Sequence, residues 1–331
     1  KGYKVIFGDQ RSVVDYLNQL PKGIYFDKSI SKNKIDLLKK ISGSGFTLTC
    51  LDEEGFPYNM DGFFYWKQRV STESLELVEK FFTWGDEEKD AVIERFGKFA
   101  DKIVTTGNPR IDLWKRFNKI YDEKAAEYKK LYGKYILLPS NFGVNHINGL
   151  EFLIKQAWDY GILSSKKDEN VYRDFLEMDK KVLFHYVKLA GKIADAFPEH
   201  TIILRPHPSE NHEFWIEKTK NHKNIKVISE GSVTPWILES EMLIHCSCTT
   251  GLEAFLMGKP VISLLPFGKN KIRRHISDEV SYKAANVEDA VEAAKKAAEY
   301  DIANTTLQML DLPGRVGPGA LSRIEQAREL A

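Results

Sequence analysis

Short apolar runs alternate along this chain with longer stretches in which apolar positions recur every three to four residues. In the first half, Tyr3–Phe7, Gly23–Phe26, Phe46–Leu51, Phe81–Trp84, Lys102–Thr105 and Tyr135–Pro139 predict strands. Helical spacing separates them at Lys32–Ile41, Ser71–Lys80 and Glu87–Phe99. The second half repeats the pattern. A long helix is predicted over Val171–Ala196, then strands at Thr201–Leu204, Ile225–Ile228 and Glu241–His245. A short helix at Thr250–Met257, a strand at Val261–Leu264 and helices at Val287–Glu299 and Ser322–Leu330 complete the series, with Leu312–Gly319 a Pro/Gly-rich loop. Strands that alternate with helices imply parallel sheets covered on both faces.

The polar, turn-like stretch Ser164–Asn170 marks a division into two doubly wound Rossmann-like domains, 1–155 and 156–331, expected to face each other across a cleft. The first is the expected acceptor side and the second the expected nucleotide-sugar side, with the last helix packing back on the first domain. Lys1-Gly2 reads as a helix end running into a strand, so a further strand and helix, about 20 to 30 residues, are expected ahead of it.

Composition narrows the function classes. The chain has 331 residues, is 43% hydrophobic and 29% charged, and carries a net charge of +1. Without a concentrated basic face, nucleic acid is not an expected partner. No apolar run approaches the length of a spanning helix and no secretory signal is visible, so a cytoplasmic location is expected. Peripheral association with the inner face of the plasma membrane is compatible with that. Cys50, Cys246 and Cys248 sit in or beside apolar strand segments and read as buried thiols rather than a disulfide framework.

In open α/β sheets ligands bind beyond the carboxyl ends of strands, so the turns after strands hold the candidate chemistry. The first is Asp52-Glu53-Glu54-Gly55. Adjacent carboxylates in a partly desolvated turn repel one another, which raises a pKa toward that of a general base, and Gly55 leaves room for a substrate. The second is Arg205-Pro206-His207-Pro208-Ser209-Glu210. Its histidine stands on a stiff backbone; Arg205 and His207 suit an anionic phosphate, and His207 suits protonation of a leaving oxygen. Third, Ser247, Thr249, Thr250 and Gly251 lead into a helix whose first turn carries Glu253. Hydroxyls and free amides there suit a phosphate, and Glu253 a ribose hydroxyl. The turn Ser140-Asn141-Phe142-Gly143 is a weaker sugar-binding candidate through Asn141. Dinucleotide, Walker, zinc and Asp-x-Asp signatures do not occur, so catalysis without an obligatory metal or other cofactor is expected.

Taken together, Glu53-Glu54-Gly55, His207-Pro208 and Ser247–Thr250 resemble, in that order, the three motifs of bacterial transferases that use CMP-activated ulosonic acids. Their order, their strand-end placement and the trailing Gly258–Ile262 support the resemblance, and Thr105–Asp112 with the Ser140–Gly143 run resembles the surface carbohydrate biosynthesis branch of that group. The resemblance implies a GT-B-like fold and transfer of Kdo or a nonulosonic acid such as sialic, legionaminic or pseudaminic acid from CMP to a hydroxyl of a surface glycan or glycolipid. It implies Glu54 as general base, Glu53 or Asp52 orienting it, and His207 acting on the departing phosphate. Ser247, Thr249 and Thr250 would hold that phosphate, and Glu253 the ribose or cytosine. Two alternatives share the two-lobed plan: a CDP-polyol phosphotransferase of teichoic-acid type and a UDP-GlcNAc 2-epimerase-like isomerase. A non-enzymatic sugar-nucleotide-binding subunit is the remaining reading.

Overall fold

The computed structural model describes residues 2, 4–53, 69–267 and 276–299. Glu54, Gly55 and the expected Ser322–Leu330 helix lie outside the described residues. The chain divides into two compact units. The first holds the described residues up to Asn108 with Tyr160–Ile162; the second holds Pro109–Asp159 and the described residues from Leu163 onward.

In the first unit, strands β1 (Ile24–Asp27), β2 (Thr47–Leu51), β3 (Lys80–Thr83) and β4 (Ile103–Thr105) form a parallel sheet in that order. Side chains alternate between its faces. Leu48 and Cys50 of β2, Phe81 of β3 and Ile103 of β4 meet Leu38, Ile41, Leu75 and Val92 in one apolar cluster. The helices over Ile35–Gly43 and Asp86–Phe96 cover that face, because their apolar positions recur at helical spacing. Of the predicted strand at Tyr3–Phe7, the described residues Lys4–Phe7 form no strand: Val5, Ile6 and Phe7 are 84%, 54% and 98% exposed, and no strand among the described residues pairs with them. Asp9 instead caps a helix at Gln10–Asp15, its side chain accepting from Ser12 N–H.

The second unit is built on β5 (Tyr135–Pro139), β6 (Thr201–Arg205), β7 (Ile225–Val227), β8 (Met242–His245), β9 (Val261–Leu264) and β10 (Tyr282–Ala284). All pair in parallel in the order β10-β9-β8-β5-β6-β7. Every residue of β5 is buried, as the central strand of a doubly covered sheet requires. This corrects the expected division at residue 155: β5 was placed in the first domain, yet its partners are β6 and β8 of the second sheet. The polar stretch Ser164–Asn170 is likewise not a linker. Ser165 accepts from Asp168 N–H and caps a helix running from Lys166 to Ala196, whose polar first turn holds Asp168 and Glu169.

The chain runs outward from β5 through β6 to β7, then returns to the other side of β5 and runs outward through β8 and β9 to β10. The direction reverses between β5 and β8, which is the topological switch of this fold. Ladder pairing there covers Ile136↔Met242 and Leu137↔Leu243, and beyond them the two strands part. Tyr186, on the long helix and fully buried, sits in the opening with its hydroxyl 2.9 Å from Pro139 O and 2.7 Å from Ile244 O.

Candidate functional site

The loops beyond β5, β6 and β8 of the second unit contain most of the predicted site residues. One buried carboxylate joins two of these loops. Glu210, 2% exposed, accepts from Ser140 Oγ (2.8 Å) and His207 N–H (3.1 Å) on one oxygen. Its other oxygen accepts from Trp215 Nε1 (2.9 Å) and Asn145 Nδ2 (3.3 Å). Backbone bonds from Ile147 N to Ser209 O and from Asn211 N to Asn145 O reinforce the join. The sequence places Glu210 at a helix start; its neighbours from the Ser140–Asn145 loop are 65 and 70 residues away in the chain, so no local signal identifies it.

His207 stands exposed on this support. Ser209 N–H donates to its Nδ1 at 3.2 Å, and Ser209 Oγ lies 2.7 Å from the same atom. An Nδ1 that accepts an N–H carries no proton, so the neutral ring holds its proton on Nε2. Pro208 is exposed beside it. Arg205, expected to meet a phosphate, points elsewhere: its guanidinium donates to Glu230 O (2.7 Å) and Gly231 O (2.6 Å) and lies 5.6 Å from the Trp236 ring centroid. Burial lowers its pKa. Asn141 is exposed at the end of β5.

The β8 loop folds around a histidine. His245 is fully buried; its Nδ1 accepts from Cys248 N–H (3.1 Å) and its Nε2 lies 3.0 Å from Ser281 Oγ. Ser247 adopts φ 48°, a left-handed backbone, and donates its hydroxyl to Asp278 Oδ2 at 2.8 Å. Ser263 Oγ donates to the other oxygen of the same buried Asp278 at 2.6 Å. Asp278 therefore ties the β8 loop to β9, a role that the sequence pattern does not signal. Thr249 is exposed and Thr250 half-buried, with Thr250 Oγ1 3.1 Å from Cys248 Sγ. The amides of Gly251, Leu252 and Glu253 bond back to Cys248 O and Thr249 O. The loop thus uses these amides to close itself, and Thr249 is the hydroxyl residue it exposes.

Glu253 is buried at 6% exposure in the first turn of the Thr250–Leu256 helix and accepts from Thr234 Oγ1. Burial pushes its pKa up to about 7, opposed by the Thr234 hydrogen bond and the Arg110 charge. Cys50, Cys246 and Cys248 are free and buried, and burial raises the Cys50 thiol.

In the first unit Asp52 departs from the picture of a carboxylate repelled by its neighbours. Asp52 is fully buried and paired with Arg69, which donates from Nε (2.7 Å) and Nη2 (2.5 Å) to its two oxygens. Trp84 Nε1 donates to the Asp52 carbonyl at 2.6 Å. Glu53 is half-buried and its N–H donates to Lys28 O. A second buried pair, Asp27 with Lys34, ends the adjacent strand β1. Among the described residues, no group of His, Cys, Asp and Glu is arranged to hold a metal ion.

No family model matches the chain, and no curated protein does. Solved structures do resemble it. The UDP-GlcNAc 2-epimerase from Neisseria meningitidis bound to UDP-GlcNAc aligns over 97% of this chain and 79% of its own, with 16% identity and a TM-score of 0.55. The Methanocaldococcus jannaschii enzyme in complex with UDP-GlcNAc and UDP aligns over 97% and 79%, with 15% identity and a TM-score of 0.56. A putative UDP-N-acetylglucosamine 2-epimerase from Listeria monocytogenes aligns over 99% and 82%, with 14% identity and a TM-score of 0.55. The likeness is one of fold. It makes the two parallel-sheet α/β units GT-B-like, as the resemblance in the motifs implied. No helix among the described residues is long and apolar enough to cross a membrane.

Proposed function

We propose that this chain is a nucleotide-sugar enzyme of the glycosyltransferase kind, and that the second unit binds the donor's phosphate beyond the ends of β6 and β8. The observation that carries the reading is His207. Its loop is fixed by Glu210, its Nδ1 is occupied by Ser209, and its exposed ring carries a proton on Nε2. Such a group donates to a phosphate oxygen and stabilises the charge that develops as the sugar–phosphate bond breaks. Thr249 and Thr250 supply hydroxyl donors to the same phosphate, and Glu253 meets the ribose. Arg205 is committed to Glu230 and Gly231, so the phosphate's charge falls to His207 and the hydroxyls.

The donor of this reading is a CMP-activated ulosonic acid and the acceptor a hydroxyl of a glycan or glycolipid, as the three motifs imply. Glu54 is the general base and Glu53 its neighbour; Asp52, paired with Arg69, is not the base. The transfer as proposed uses no metal. A second reading, epimerisation of a UDP-linked N-acetylamino sugar, is favoured by the fold likeness to UDP-GlcNAc 2-epimerases.

Thermal denaturation in the presence of CMP, CDP and UDP separates the two. A ligand that binds only the folded state at about 100 times its Kd adds roughly 2.7 kcal/mol of stability. Stabilisation by CMP that is lost in His207→Ala, with the unliganded melting temperature unchanged, is the expected result. A response to UDP and none to CMP would transfer the conclusion to the epimerase reading.

A further inference from the structure

The long helix Lys166–Ala196 buries one face against the second sheet through Leu183, Tyr186, Leu189, Ala190 and Ile193. Its opposite face carries a line of residues four apart: Lys180, Phe184, Lys188 and Lys192, all exposed, with Lys181 exposed alongside. Residues at this spacing stand one above another on a helix. Phe184 is 50% exposed in the middle of the line. A second exposed aromatic comes from a different element. Phe267, 44% exposed beyond the end of β9, meets His185 of the same helix edge-on at 5.4 Å. Lys181, Lys188 and Lys192 lie on the side of the helix between Phe184 and His185.

Among the described residues, Lys188 bonds Glu288 at 2.7 Å, whereas Lys180, Lys181 and Lys192 enter no ion pair. The acidic residues along the line are Glu177 and Asp195, one to either side of the lysines, and the Lys188-bound Glu288. Two half-exposed aromatic rings framed by flexible lysines combine the features that bind an anionic lipid surface. The rings enter the headgroup boundary while the ammonium groups remain at the level of the lipid charge. A protein interface would take the aromatics but is depleted in lysine at its centre.

We propose that this stripe docks the second unit on an anionic membrane surface. The inference stands apart from the sugar chemistry: it holds for any soluble substrate and fails without affecting the nucleotide reading. The test is co-sedimentation of the protein with phosphatidylcholine vesicles containing about 30% phosphatidylglycerol, against vesicles of phosphatidylcholine alone, at low and high salt. The wild type is expected to partition to the anionic vesicles at low salt and to be released by high salt. K180E/K181E is expected to lower that partitioning by about 10-fold or more, since each lysine at such a surface contributes roughly 5-fold. F184S/F267S is expected to lower it by about 10-fold through lost ring insertion. Lys124→Glu, a reversal on another helix, serves as the control and leaves binding unchanged. All variants alter exposed side chains, so melting temperatures stay near the wild-type value. Absence of wild-type binding overturns the proposal, as does equal binding by the stripe variants. Self-association that the same variants abolish, without vesicle binding, overturns it in favour of a second copy of the chain.

Discussion

Gly251→Ala tests the packing behind the β8 loop. The residue is helical with an ordinary φ, so its lack of a side chain is explained by space and not by backbone conformation. A Cβ there would stand 2.4 Å from His245 Nε2, 2.7 Å from Cε1 and 2.8 Å from Cδ2. The ring cannot retreat freely, because it is fully buried and fixed through Cys248 N–H and Ser281 Oγ. Crowding of this kind costs about 1–3 kcal/mol. Displacing the imidazole also weakens one or two hydrogen bonds, at about 1 kcal/mol each. Replacing a helical glycine by alanine returns about 1 kcal/mol. The net expectation is a loss of about 1–4 kcal/mol, which lowers the melting temperature of a unit of roughly 200 residues by about 2–15 °C. Circular dichroism melts and urea midpoints measure it. H245A/G251A should cost less than the two single variants added together, because removing the ring opens the space the methyl needs. A G251A protein that melts within a degree of wild type would refute the claim that the loop is built on His245.

Three further expectations concern buried carboxylates. Asp52→Ala removes the buried carboxylate that accepts from Arg69 Nε and Nη2 and should lower stability by up to about 3–5 kcal/mol in urea titration, a loss that Arg69→Met alone does not exceed. Asp278→Ala releases Ser247 and Ser263 and should weaken nucleotide binding by about 10-fold in calorimetric titration, with Asp278→Asn retaining part of the affinity. Burial holds the folded pKa of Glu253 at about 7, against an ordinary value of 4.5, so the folded state binds more protons than the unfolded state between those values. Its contribution is therefore complete below the unfolded pKa and is lost as pH rises through about 7, on the order of 3 kcal/mol in all. Urea midpoints at acid and at mildly alkaline pH should diverge in the wild type and converge in Glu253→Gln; parallel profiles would remove Glu253 as the source.

Strands were legible where burial is continuous. Tyr135–Pro139 shows as a strand because all five residues are apolar and all are buried, and Val287–Glu299 as a helix because its alanines recur at helical spacing. Sheet membership was not legible. An apolar pentapeptide does not state which strands flank it, and β5 was accordingly assigned to the wrong domain. Lys4–Phe7 failed for a related reason: an apolar run makes a strand only where a partner edge receives it, and none among the described residues does. Ser164–Asn170 misled because the residues that cap and charge a helix start are also those of loops. In the site, the turns were legible from Pro, Gly and hydroxyl residues after strands. The pairings that decide their chemistry were not. Asp52 meets Arg69 across 17 residues, and Ser247 meets Asp278 across 31. Ser140 meets Glu210 across 70, and no local pattern encodes any of them.

These pairings assign Glu210 and Asp278 of the second unit to support. A carboxylate acts as a base only if a lone pair is open to the substrate. Glu210 has each oxygen shared between two fixed donors, and Asp278 accepts a hydroxyl on each oxygen. Both are buried, and their oxygens accept from the loops they join. Glu253, also buried, accepts from Thr234. What Glu210 and Asp278 secure is the position of an outward-facing group: Glu210 the backbone of His207, and Asp278 the left-handed turn at Ser247 that leads to Thr249. Such an edge suits a departing phosphate, because donors fixed in advance stabilise developing negative charge without reorganising as it forms. It also follows that the base of any transfer reaction is not Glu210 or Asp278, which directs the search for it to carboxylates whose oxygens are not already shared among buried donors.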